Sequence, residues 1–134
     1  MLTNNIPCNE DLSELPRTLE KVSVELELRM LKQGVEANPL GIVMADALAF
    51  DMPLVYVNPA FSELTGYDSE EILGRNCRFL QGPETDPVSI AAIQAGLKEQ
   101  RNVDVVLRNY RKDGTAFWNR LLISPVVDQN GKCT

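Results

Sequence analysis

Gly74-Arg75-Asn76-Cys77-Arg78-Phe79-Leu80-Gln81-Gly82 sets one thiol, several polar groups and two apolar side chains between two glycines, and reads as a turn-rich element. An isolated cysteine is more often an inert core residue than a reactive one, so Cys77 by itself decides nothing. Arg78 beside it suits a phosphate, or simply one of the chain's many carboxylates.

Downstream of this element, Pro87 to Lys98 reads as a helix with Val88, Ile90, Ala91, Ile93 and Leu97 apolar. Two long strands follow, Val103 to Arg111 and Thr115 to Val127, joined through Lys112-Asp113-Gly114, where Asp-Gly favours a tight hairpin. Period two puts Val103, Val105, Leu107 and Asn109 on one face, and Phe117, Asn119, Leu121 and Ile123 on another. Each otherwise apolar face thus carries one amide, and a buried amide must find partners or cost stability. Two solutions are open: a flat heterocycle with alternating donors and acceptors, or amides bonded to each other and to backbone. If the cysteine element faces the two asparagines across a pocket, the thiol, amides and guanidinium would address one phosphorylated aromatic ligand. A last turn signal, Gln129-Asn130-Gly131, calls for another strand, of which only Lys132, Cys133 and Thr134 follow, so the sheet is expected to stop short of its final strand.

Upstream, Ile42 to Met44 and Leu54 to Val57 read as short strands linked through Asp46 to Pro53. Asn58-Pro59 opens a short helix that Gly66 stops, and Ser69 with Glu70 and Glu71 opens another that closes at Gly74. Before them, Leu12, Leu15, Leu19, Val22 and Leu26 recur at helical spacing, with Val24, Leu28, Leu31 and Val35 on a second stripe. That amphipathic helix runs to about Glu36 and is ended by Asn38-Pro39. The expected organisation is an extension over residues 1–36 and a domain over 37–134.

The chain has 134 residues and carries a net charge of −6, which argues against a broad face for nucleic-acid phosphates. No basic leader or window of membrane-spanning length is evident, so a cytoplasmic protein is expected. Cys8, Cys77 and Cys133 are an odd number spread along the chain, which suits neither a disulfide framework nor a metal site. With no histidine, His-based triads and zinc hydrolase sites are excluded.

The element from Gly74 to Gly82 resembles the signature of light-oxygen-voltage (LOV) domains, the blue-light branch of the PAS superfamily. Val55-Tyr56-Val57-Asn58, Leu64-Thr65-Gly66-Tyr67, Gly82-Pro83-Glu84-Thr85-Asp86-Pro87, Asn109-Tyr110-Arg111-Lys112-Asp113-Gly114 and Phe117-Trp118-Asn119 are similar to the family as well. The resemblance runs from about Pro39 to the C-terminus. It implies an α+β PAS fold, an antiparallel sheet with short helices enclosing a flavin pocket. It also implies a photosensory module rather than an enzyme, in which the Cys77 sulfur adds reversibly to the flavin C4a carbon after blue light. By the same resemblance Asn76 and Gln81 hold the ribityl chain and flavin edge, Arg78 the phosphate, and Asn109 and Asn119 the pyrimidine side of the ring. Flavin mononucleotide (FMN) is the expected cofactor, with FAD and riboflavin as alternatives.

Two departures from the family stand out. A second phosphate-binding arginine is replaced by Gln94, and the family's final strand with its signalling glutamine is expected either to lie beyond this sequence or to be disordered or missing. The rival readings are a flavin-based redox sensor, which has no need of Cys77, and a cofactor-free PAS dimerisation module built on the N-terminal helix. A homodimer through that helix and an effector elsewhere are the partners expected.

Overall fold

The computed structural model describes residues 17–134, with side chains from residue 20 onward. Cys8, Leu12 and Leu15, and the side chain of Leu19, lie outside the described residues. The chain divides into two compact units, one ending at Gly34 and one spanning Val35–Thr134. Helix α1 covers Arg17–Glu36 and ends ahead of Pro39, a residue that disfavours helical geometry in its predecessor. Its apolar side chains from Val22 to Leu31 are exposed, Leu28 at 61% and Leu31 at 67%.

In the second unit, strands β1 (Val43–Ala45) and β2 (Leu54–Val57) pair antiparallel, with a bulge between Met44 and Ala45. Helix α2 (Pro59–Thr65) starts as its sequence dictates: the Asn58 side chain accepts from the Phe61 N–H at 3.1 Å, and Pro59 occupies the first turn. Gly66 stops it at φ +77°, a left-handed conformation favourable to glycine. Helix α3 (Ser69–Ile72) opens at Ser69 as expected and is capped by Asp68, whose N–H donates to the Glu71 carboxylate. A 3-10 helix, Cys77–Leu80, and helix α4 (Pro87–Lys98) complete the helical part.

Strands β3 (Val103–Tyr110) and β4 (Ala116–Ile123) form the long hairpin, with Asn109 opposite Phe117 and Leu107 opposite Asn119. Each is shorter than its sequence pattern suggested, because the Arg111–Thr115 pair belongs to the turn and β4 breaks before Pro125. The loop 112–114 closes with Gly114 at φ +85°. Asn130-Gly131 also turns as expected, bringing Val127 opposite Cys133. The architecture is α+β, antiparallel strand pairs with short helices.

Leu54, Phe61, Ile72 and Leu80 form the core beside β2, with Val43, Val57, Tyr67, Cys77 and Phe79 packed around them. Full burial of a side chain of this size stabilises by roughly 1.5–3 kcal/mol. On the hairpin, Val103, Leu107 and Phe117 are buried while Asp104, Val106, Trp118 and Leu122 face out, as period two requires. Helix α4 lies on β3 at Gly96, where a Cβ would come within 2.1 Å of Val103 Cγ2.

Candidate functional site

The 3-10 helix Cys77–Leu80 organises the site, and its own sequence explains its orientation. Residues three apart eclipse in a 3-10 turn, so Cys77 and Leu80 share the core-facing side while Arg78 points elsewhere. Asn76 caps it, its Oδ1 accepting from the Arg78 N–H at 2.9 Å, and the Gln81 N–H donates to the Arg78 carbonyl at the other end. The preceding chain is fixed to β2: Leu54 N–H donates to the Arg75 carbonyl and Gly74 N–H to the Leu54 carbonyl. The segment just after it is fixed to β3. Buried Thr85 Oγ1 accepts from the Gly82 N–H and donates to the Arg108 carbonyl, and Gly82 sits against the Tyr110 ring.

Cys77 is a free, half-buried thiol. Burial alone raises its pKa from 9.0 to about 11, so the sulfur is protonated at neutral pH and is a weak spontaneous nucleophile. Asn109 is 4% exposed and carries three hydrogen bonds. Its Nδ2 donates to the Leu80 carbonyl at 3.2 Å and the Arg108 carbonyl at 3.3 Å, and its Oδ1 accepts from Asn119 Nδ2 at 3.0 Å. The Asn109 amide is thus satisfied by Asn119 and by backbone. The bond to Leu80 ties the hairpin to the end of the cysteine helix, so Cys77, Asn109 and Asn119 belong to one neighbourhood. The pair keeps the Asn119 carbonyl and one amide hydrogen on an otherwise apolar face, chemistry that fits the edge of a heterocycle with alternating donors and acceptors.

Asn76 and Arg78 form a second group on the outer side of the helix. Asn76 Nδ2 donates to the Asp51 carbonyl at 2.7 Å, and both Arg78 terminal nitrogens donate to the Asp51 carboxylate. The guanidinium lowers the Asp51 pKa, and the carboxylate raises that of Arg78. Both residues line an open depression of about 430 Å³ that also involves Asp51, Gly74, Arg75 and Phe79. Cys77, Gln81, Asn109 and Asn119 are not among its lining residues. Arg78 thus engages a carboxylate of the kind its sequence setting suited. Gln81, at the C-terminal end of the 3-10 helix, is half-buried, whereas Gln94 is exposed on α4.

Sequence reading missed two residues that hold this region together. Asn58 was legible only as a local cap. In the structure it is fully buried: Oδ1 accepts from the Ile42 N–H at 2.8 Å, and Nδ2 donates to the Val35 and Leu40 carbonyls at 3.1 and 2.9 Å. Asp51 lay in a linker with no motif to mark it.

Comparison with known proteins places this geometry among sensory domains. A family model described as PAS domain matches residues 39–134. A blue-light-activated histidine kinase of Rhizobium johnstonii is 43% identical over 119 residues, 89% of this chain and 34% of the kinase. Among solved structures, an RNA-binding light-oxygen-voltage receptor superposes with a TM-score of 0.78 at 38% identity, over 96% of this chain and 34% of that one. A light-oxygen-voltage domain studied with a flavin analogue superposes at 0.70 with 42% identity, over 81% of this chain and 77% of that one. The chain spans 19–34% of the length of the first curated relatives it matches.

Proposed function

Because the chain belongs to the PAS domain family, in its light-oxygen-voltage branch, we propose that it is a blue-light photoreceptor module that signals to an effector outside residues 1–134. The observation that carries this reading is the neighbourhood of a protonated, half-buried Cys77 and the Asn109–Asn119 amide pair, joined through the Leu80 carbonyl. A bound flavin, FMN by preference over FAD or riboflavin, would supply the blue-light absorption and an electrophilic C4a carbon to which the Cys77 sulfur bonds as N5 takes the thiol proton.

The protein's own part is to hold the sulfur in place before light arrives and to keep it protonated, which prevents dark reaction. Asn109 and Asn119 would orient the pyrimidine side of the ring, Asn76 and Gln81 the ribityl chain and flavin edge, and Arg78 the phosphate. Gln94 would leave that phosphate one cation short. No substrate is turned over, so the domain is a sensor and enzymatic activity belongs to its effector. Residues 37–134 form the sensing domain, and residues 1–36 are an extension whose helix α1 pairs two copies. A net charge of −6 favours a protein effector over direct nucleic-acid contact, and a cytoplasmic location suits this role. Among the described residues no helix is long and apolar enough to cross a membrane.

An absorption spectrum in the dark and directly after blue illumination tests the proposal. Bands near about 450 nm should bleach reversibly to a single near-ultraviolet band, the signature expected of a flavin chromophore that gains a bond at C4a. Cys77→Ala should stay yellow and lose only the near-ultraviolet species. Adduct formation by Cys77→Ala would rule out this cysteine, and a parent that binds flavin without forming the adduct would favour a redox sensor.

A further inference from the structure

The loop 46–53 is closed on itself. The Asp46 carboxylate accepts from the Leu48 and Ala49 N–H groups, Met52 N–H donates to the Ala49 carbonyl, and Asp46 N–H donates to the Pro53 carbonyl. At its apex Asp51 and Met52 are consecutive non-glycine residues in the left-handed region, φ +64° and +48°. That conformation is uncommon outside glycine, asparagine and aspartate, and Met52 pays for it without a side chain suited to it.

Asp51 reaches from this apex to the start of the 3-10 helix and presents three acceptor oxygens there. The carbonyl takes the Asn76 amide, and the two carboxylate oxygens take the two terminal nitrogens of Arg78. These are the same donors that the flavin reading assigns to the polar tail of the ligand. A carboxylate and a phosphate bind a guanidinium fork in the same bidentate way, so the two compete for one seat. The pair is solvent-exposed, with side chains 59% and 43% accessible, which makes it a weak latch. Gln94 offers no second cation.

We infer that Asp51 is a selectivity gate for the cofactor's tail: it occupies the Asn76 and Arg78 donors, and a flavin phosphate engages Arg78 only by displacing it. The inference rests on the flavin reading and deepens it. A flavin with no phosphate gains nothing from Arg78 and does not need the gate to open. The native chain therefore separates FMN from riboflavin less than it would without the gate, and the difference is set by a residue of the loop 46–53.

Equilibrium affinities of the full chain for FMN and for riboflavin test this, measured by flavin fluorescence for the parent, Asp51→Asn, Arg78→Gln and the double variant. Asparagine tolerates the left-handed backbone at position 51, so Asp51→Asn removes the charge without breaking the loop. It should tighten FMN about three- to tenfold and move riboflavin by less than about twofold. Arg78→Gln should bring the two affinities together, and adding Asp51→Asn to it should change nothing further. An FMN-to-riboflavin ratio unchanged by Asp51→Asn, or an equal gain for both flavins, overturns the gate while leaving flavin binding intact. A parent chain that binds neither flavin overturns the flavin reading, and the gate with it.

Discussion

Nδ2 of Asn119 donates to Oδ1 of Asn109 at 3.0 Å, a diagonal contact across the β3–β4 hairpin in which Asn109 lies opposite Phe117. Asn109 also holds the Leu80 carbonyl, so it is the member of the pair with more to lose. Asn109→Leu should destabilise the fold by about 1–3 kcal/mol, because Asn119 and Leu80 both lose a partner away from full solvent. Asn119→Leu should cost less, and the double variant less than the sum of the two. Urea denaturation of the three variants provides the cycle, and strict additivity would show that the amides are not coupled.

Cys77 links pH to stability. Its folded pKa of about 11 lies above its ordinary 9.0, so the folded state holds the proton more tightly than the unfolded chain. The associated stability is complete below pH about 9 and is lost as pH rises from there toward 11, on the order of 2–3 kcal/mol in all. Cys77→Ala should flatten that alkaline loss in denaturation midpoints between pH 8 and pH 11. In the dark at neutral pH, alkylation of Cys77 should be slow and should accelerate with each unit of pH.

Gly82 and Gly34 should respond in opposite directions to alanine. A Cβ at Gly82 would meet the Tyr110 ring at 2.3 Å, and Tyr110 is itself held by the Glu84 N–H donating to its hydroxyl. Gly82→Ala should therefore cost about 1–3 kcal/mol and lower the melting temperature by several degrees. Gly34, within α1, has no atom within 4 Å of an added Cβ. Gly34→Ala should strengthen helix α1, by up to about 1 kcal/mol, read as increased helical circular dichroism.

Val24, Leu28 and Leu31 share one stripe of α1 and expose most of their surface. Covering such a stripe with a second copy of the helix removes apolar area from water. The parent should be dimeric in light scattering at micromolar concentration, and Leu28→Lys with Leu31→Lys should be monomeric with an unaltered flavin spectrum. A parent that is monomeric, or a variant that stays dimeric, would move the interface away from this helix.

Much of this could be read from residues close together in the chain. The inward and outward faces of β3 and β4 follow from period two, and the limits of α2 from Asn58, Pro59 and Gly66. Cys77 and Leu80 share a face because three residues make one 3-10 turn. These regularities are set by backbone geometry over two to four residues, and no distant partner is needed to produce them.

The choice among equivalent partners was decided only by the fold. Arg78 could have met any carboxylate or a phosphate, and it meets Asp51, 27 residues away, because the loop apex lies beside the 3-10 helix. Asn109 and Asn119 bond to each other because the hairpin register places them diagonally. Asn58 caps its own helix and also holds carbonyls as far as 23 residues upstream, a reach that local sequence does not record. Side-chain partners of this kind differ little in intrinsic free energy, so proximity selects among them, and proximity across tens of residues is a property of the folded chain.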